Sequence, residues 1–456
     1  MSASALFTDL YELTMLEAYH ALGMADTAVF SLYVRKLPPG RNFLVACGVD
    51  DLLDDIEALR FNDEDIAHLH SLKKFRPEFL KWLKAFRFKG DIHAMAEGTP
   101  VFPNEPILEI IAPIAQGQLL ETLVINQIGF QVTIASKAAR IIVAANGRPV
   151  VDFGSRRAHG LDAAIKGARA AYLAGAAATS NVEAGRRYGI PVVGTVAHSF
   201  IEAFPNEMEA FRRFAALFPE TTLLVDTYDT IGGVQIVTEL ARESKSAFKV
   251  RAIRLDSGDL LDLSRQTRRL LDESGLQHVQ IFASGGLNEW DIDALVRAGA
   301  PIDAFGVGTD LMVSSDAPSL DIAYKLTEYG GIGRMKLSPH KRTLPGRKQV
   351  FRHLRDGVAI GDSIARSDES SGGRPLLQPV MAQGRRVKVR RSAAALRQET
   401  DAMIGELPSA LCALQDAADP YAIEISPHLA AYEAETRRHL PSHPDLQDSD
   451  KGPGDR

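Results

Sequence analysis

From about residue 148 onward, apolar runs of strand length repeatedly end on polar or glycine clusters. PVVDFG, GAAATSN, PVVGTVAHS, TTLLVDTYD, KVRAIRLDSGD, VQIFASGG and DAFGVGTD form seven such segments. Stretches of helical periodicity separate them, among them LDAAIKGARAAYLA, EMEAFRRFAALF, GGVQIVTELARES, LLDLSRQTRRLLDES and EWDIDALVRAG. Alternating strand and helix predicts parallel βαβ units, and this many in succession predict an α/β barrel. A regular barrel has eight strands, so about seven make an irregular one. In a barrel the polar strand ends all fall on the C-terminal face, where such folds place their chemistry. Loops are polar in any case, but Asp and Arg paired at several successive strand ends exceed what solvation requires.

The preceding residues read differently. TAVFSLYVRKL and NFLVACG are strand-like, VDDLLDDIEAL and PEFLKWLKAF have helical spacing, and DIHAMAEGTPVFPNEPILEII reads as short strands interrupted by Gly98, Pro100, Pro103 and Pro106. We expect residues 1–120 to form an α/β sandwich domain and 121–345 the barrel, entered through a long helix over GQLLETLVINQIGFQVTIASKAARIIVAA. KQVFRHL, GVAIGD and PVMAQGRRV in residues 346–435 are further strands that complete the first domain, and residues 436–456 are a polar tail expected to be disordered.

Composition removes several classes of function. With 45% hydrophobic and 24% charged residues the chain has the balance of a soluble globular protein, and its net charge of −6 argues against nucleic acid as a partner. Cys47 and Cys412 are the only cysteines, so neither a disulfide framework nor a zinc site is expected. The N-terminus has no signal-peptide pattern, and no charge-free apolar run of about 18 residues suggests a membrane span. A cytoplasmic location is the expectation.

The chemistry concentrates at the strand ends. Gly285-Gly286 and Gly306-Val307-Gly308-Thr309 end the last two predicted strands, where backbone N–H groups and a following helix suit a phosphate; ordinary tight turns are the plainer alternative. Arg156, Arg157 and Arg254 suit a multiply anionic substrate, unless each is tied to a nearby acid such as Asp152 or Asp256. Asp256 and Asp259 suit ribose hydroxyls or a Mg²⁺ ion shared with substrate phosphates. No Walker A motif occurs, so any ATP binds by another device. His198, with Asp226 at the next strand end to orient it, competes with His159 as the catalytic histidine.

Taken together, TDLYELTMLEAY, DFGSRRAHG, TSNVEAGRRYGIPVVGTVAHSF, LLVDTYDT, RLDSGDL, FGVGTDLMVSSDAPSLDIAYKLTEY and KLSPHKRTLPGRKQVFR resemble, in order, the sequence blocks of nicotinate phosphoribosyltransferases. The resemblance covers most of the chain and stops near residue 430. It implies a sandwich and a barrel, a homodimer with shared active sites, and condensation of nicotinate with phosphoribosyl pyrophosphate, using Mg²⁺ and coupled to ATP hydrolysis. By the same resemblance His198 is transiently phosphorylated and oriented by Asp226. Tyr11 reaches the nicotinate ring from the partner subunit, and Phe153 stacks on it. Thr195, Arg254 and Arg156 hold the carboxylate, Asp256 contacts ribose, and Gly285, Gly286, Gly306, Gly308 and Thr309 cradle the 5′-phosphate. Gly286 stands where many relatives have an acidic or amide residue, which weakens the expectation of ribose contacts there.

Other readings make different demands. A nicotinamide-using relative carries an acid in the loop that here reads Thr179-Ser180-Asn181. A quinolinate-using enzyme calls for a denser basic cluster. A non-catalytic sensing relative is expected to lose His198, Arg254 or Asp256, and all three are present. An unrelated phosphate-binding barrel, such as an aldolase or isomerase, calls for a Schiff-base lysine or a carboxylate base at a strand end, and the seven strand ends have no lysine, which counts against the Schiff-base version.

Overall fold

The computed structural model describes residues 4–338 and 343–440. Strands Val150–Asp152, Ala178–Thr179, Thr222–Leu224, Ala252–Leu255, Gln280–Ala283 and Ala304–Val307 form one six-stranded sheet with parallel pairing throughout. Val150–Asp152 pairs with both Ala178–Thr179 and Ala304–Val307, so the first strand of the series lies beside the last. The expected helices follow as Leu161–Leu173, Glu207–Leu217, Thr230–Ser244, Leu260–Glu273 and Glu289–Arg297. The strands carry apolar residues inward and outward because helices cover the sheet, and the same core collects Val150, Leu224, Ile253, Ile281 and Phe305.

The seventh expected strand does not form. PVVGTVAHS contributes one parallel bridge, Thr179 to Val192, and His198 already begins the short helix His198–Glu202. Pro191 has no N–H to give a ladder and Gly194 favours irregular backbone, so the segment leaves the sheet after one pairing. The expected seven-strand barrel is therefore corrected to a six-stranded parallel sheet rolled into a partial barrel.

The remaining strands are mostly antiparallel. A seven-stranded sheet runs in the order Ile332–Gly333, Ile322–Tyr329, Thr27–Val34, Pro106–Pro113, Asp91–Ala94, Gln378–Ala382, Arg385–Arg386. A four-stranded sheet contains Arg374–Pro375, Lys348–Arg355, Val358–Arg366 and Ile423–Ile425. Gln378–Ala382 pairs with Asp91–Ala94, which brings the late chain back to the early sheet. Ile322–Tyr329, placed with the barrel from sequence, instead pairs along Thr27–Val34. Helix Pro427–Arg438 extends past residue 436, where a tail was expected to begin; residues 441–456 of that tail lie outside the described residues.

Helix Glu121–Ala145 joins the two parts. It is apolar and long enough to cross a membrane by composition alone, but 78% of its most apolar stretch is buried, as in a core helix. Cys47 and Cys412 are unpaired, and no cluster of potential metal-binding side chains occurs among the described residues.

Candidate active site

The C-terminal ends of the parallel strands surround a cavity of about 490 Å³. The local backbone explains its shape. Asp152 is buried at the end of its strand and accepts hydrogen bonds from Thr179 Oγ1 and Gly154 N, each at 2.7 Å, which fixes the turn carrying Ser155–Arg157. Phe153 donates its N–H to Val307 O, and its ring lies over Gly306, where a Cβ would come within 2.7 Å of the ring. Gly306 therefore seats the aromatic ring. At Gly285 φ is +96° and a Cβ would overlap the Asp256 carbonyl, so only glycine lets this loop cross the neighbouring strand end.

Arg254 is the most constrained group in the cavity. Its Nε donates to Ser284 Oγ at 2.7 Å, Nη1 to Thr195 Oγ1 at 3.1 Å, and Nη2 to Asp256 Oδ1 at 2.6 Å. Its guanidinium carbon lies 5.3 Å from the Phe153 ring centroid. Ser284 also donates to Asp256 Oδ1 at 2.5 Å, which leaves Asp256 Oδ2 turned toward His198, 3.9 Å from its Nε2. Arg156 and Arg157 also line the cavity; among the described residues neither has a carboxylate partner, so the salt-bridge alternative holds only for Arg254.

Thirteen of the residues singled out in the sequence line this one cavity: Phe153, Arg156, Arg157, Ser180, Thr195, His198, Arg254, Asp256, Gly285, Gly286, Gly306, Gly308 and Thr309. Others lie elsewhere. Asp226 does not touch His198. Its Oδ2 accepts from Asp256 N at 3.0 Å and Ser257 Oγ at 2.6 Å, so it shapes the Asp256 loop. The neighbouring Thr227 meets His198 Nδ1 at 3.2 Å, so the expected orienting partner is one residue away. Asp259 caps helix Leu260–Glu273 by accepting from the N–H groups of Leu261 and Asp262, and it is not part of the cavity lining. His159 is exposed and outside the lining. Tyr11, on helix Leu10–Ala21, is 48% exposed and also outside it. Burial and nearby Glu121 push its phenol above the ordinary range.

Ser284 and Thr227 were missed from sequence. Serine and threonine at strand ends are too common to mark a partner, although Ser284 stands directly before Gly285-Gly286 in a loop already singled out. Another cavity, of about 320 Å³, is lined by Tyr33, Thr327, Lys348 and Ile364 among others. Among the described residues its one ammonium, that of Lys348, is already paired with Glu109 at 3.1 Å.

Comparison with known proteins points to one family along most of the chain. The profile of the nicotinate phosphoribosyltransferase N-terminal domain matches residues 6–129, and that of the nicotinate phosphoribosyltransferase family matches residues 149–334. A nicotinate phosphoribosyltransferase of Mycobacterium tuberculosis is 53% identical over 440 residues, covering 95% of this chain and 94% of its own. One from Bacillus subtilis is 40% identical over 375 residues, covering 80% and 76%. The crystal structure of human nicotinic acid phosphoribosyltransferase superimposes with a TM-score of 0.84 at 26% identity, covering 95% of this chain and 100% of that one. Both profiles match in order and the Mycobacterium tuberculosis relative aligns over nearly the full length, so the chain belongs to the nicotinate phosphoribosyltransferase family.

Proposed function

We propose that this enzyme joins nicotinate to phosphoribosyl pyrophosphate, forming nicotinate mononucleotide and pyrophosphate for NAD synthesis. The observation that carries the reading is Arg254, held by three hydrogen bonds beside the Phe153 ring, with unpaired Arg156 nearby and glycine loops across the same cavity. A flat pyridine carboxylate fits against the ring with its charge toward the arginines. Thr195 and Arg254 then hold the carboxylate, and Gly285, Gly286, Gly308 and Thr309 hold the 5′-phosphate. The pyridine nitrogen attacks the anomeric carbon as its bond to pyrophosphate breaks. Alignment and stabilisation of the departing charge supply the rate.

Asp256 Oδ2 is free of the Arg254 pairing and suits a ribose hydroxyl or a Mg²⁺ ion shared with the phosphates. When bound, Mg²⁺ neutralises charge on the leaving pyrophosphate. His198 is 40% exposed at the cavity edge with Nδ1 held by Thr227, and this supports its role as phosphoryl acceptor. A ring nitrogen takes the γ-phosphoryl of ATP and ADP leaves; later hydrolysis returns phosphate and couples ATP to turnover. Tyr11 lies outside its own subunit's cavity, which supports a homodimer in which it serves the partner's site. The unpaired cysteines fit the cytoplasm.

Ser180 lines the cavity without charge, which favours the acid over nicotinamide. The function is tested by adding nicotinate to enzyme, Mg²⁺ and phosphoribosyl pyrophosphate and following pyrophosphate release. Release equal to the mononucleotide formed is expected, and release independent of nicotinate would overturn the reading.

A further inference from the structure

Behind the glycine loops lies a buried charge cluster that the proposed chemistry does not use. Lys137, on helix Glu121–Ala145, has a side chain only 1% exposed. Its ammonium lies 2.5 Å from Glu289 Oε2, 2.6 Å from Asp310 Oδ2 and 3.0 Å from Asp316 Oδ1. The hydrogen bond goes to Glu289, and the carboxylates of Asp310 and Asp316 pair with the same ammonium by charge at short range.

Two of those carboxylates occupy telling positions. Glu289 is the first residue of helix Glu289–Arg297, immediately after the loop that carries Gly285 and Gly286. Asp310 is the second residue of helix Thr309–Val313, immediately after Gly308 and beside Thr309. One buried ammonium thus ties together the segments that follow both glycine loops. The cluster also balances in charge: Arg140 donates to Glu289 Oε1 at 3.0 Å, and Arg41 Nη2 lies 2.9 Å from Asp316 Oδ2. Lys137, Arg140 and Arg41 offset Glu289, Asp310 and Asp316. Without Lys137, the Asp310 carboxylate next to Thr309 would be left without its cation and would repel a phosphate dianion bound there.

We propose that Lys137 is a positioning residue for the 5′-phosphate site: it holds the two glycine loops at a fixed separation and neutralises the carboxylate beside them. The inference rests on the assignment of those loops to the phosphate. It also accounts for a lysine buried within a core helix, where a charge is costly unless it has paired partners.

The test is calorimetric titration of the full-length enzyme with ribose 5-phosphate, together with the KM for nicotinate at saturating phosphoribosyl pyrophosphate. For Lys137→Met we expect ribose 5-phosphate affinity to fall about tenfold or more, equivalent to about 1.4 kcal/mol, while the nicotinate KM stays within about twofold. General loosening would weaken both. If the single variant does not fold, Lys137→Met/Asp310→Asn removes one charge of each sign and keeps the cluster balanced; the same selective loss is expected because the tie is gone. Wild-type affinity in either folded variant would overturn the inference and leave the phosphate assignment standing. Failure of the wild-type enzyme to bind ribose 5-phosphate would overturn both.

Discussion

Arg254 does its work through the direction of its hydrogen bonds. A guanidinium donates through a rigid planar fork of five N–H groups, and here Ser284, Thr195 and Asp256 each accept one, which leaves two for a substrate carboxylate. Arg254→Lys keeps the charge and loses the fork. We expect kcat/KM for nicotinate to fall about 100-fold, or about 2.7 kcal/mol, with a smaller change in the KM for phosphoribosyl pyrophosphate. Steady-state kinetics in both substrates check this. At Ser180, an aspartate would face the substrate carboxylate with like charge. Ser180→Asp is expected to lower kcat/KM for nicotinate about tenfold or more and to raise the relative use of nicotinamide, as measured by competition between the two. The contact at Thr227 makes a third case. Thr227→Val removes the partner of His198 Nδ1, and labelling with γ-³²P ATP is expected to show about tenfold slower phosphorylation. An unchanged rate would return the orienting role to another group.

At the scale of the element, the two glycines of one loop separate space from conformation. Gly285 has positive φ and no room, because a Cβ would overlap the Asp256 carbonyl; Gly286 has positive φ and open space. Alanine at Gly286 therefore carries only backbone strain of about 1 kcal/mol, while alanine at Gly285 must also push the neighbouring strand end away and costs more, about 2 kcal/mol or above. Thermal unfolding of the two variants is expected to rank them in that order. These loops could be picked out in the sequence because glycines recur at the ends of two successive predicted strands, a pattern that tight turns alone also give. The orientation of His198 was not, because whether Asp226 or Thr227 faces the ring depends on a one-residue rotation of an irregular turn. The failed strand at PVVGTVAHS is a similar case: its apolar run has the right composition, while Pro191 and Gly194 deny it a ladder.

For the whole molecule, the parallel half of the fold could be read from alternation, since each βα unit repeats the same signal. The antiparallel half could not, because pairing of Ile322–Tyr329 with Thr27–Val34 joins residues nearly three hundred positions apart and leaves no local mark. Lys137 went unnoticed for a related reason: its three acids come from distant turns that meet only in the folded chain. The proposed sharing of active sites belongs at this scale too. If Tyr11 serves the partner's cavity, inactive Tyr11→Ala and His198→Ala enzymes, mixed and allowed to exchange subunits, will regain part of the wild-type activity; persistent inactivity of the hybrids would place Tyr11 outside the partner's chemistry. Substrate choice and reaction are properties of the assembled enzyme, and turnover with phosphoribosyl pyrophosphate and Mg²⁺, offering nicotinate and nicotinamide in parallel with and without ATP, measures both. Mononucleotide from nicotinate, increased by ATP, and little from nicotinamide is expected; product from nicotinamide alone, or from neither, would overturn the proposed function.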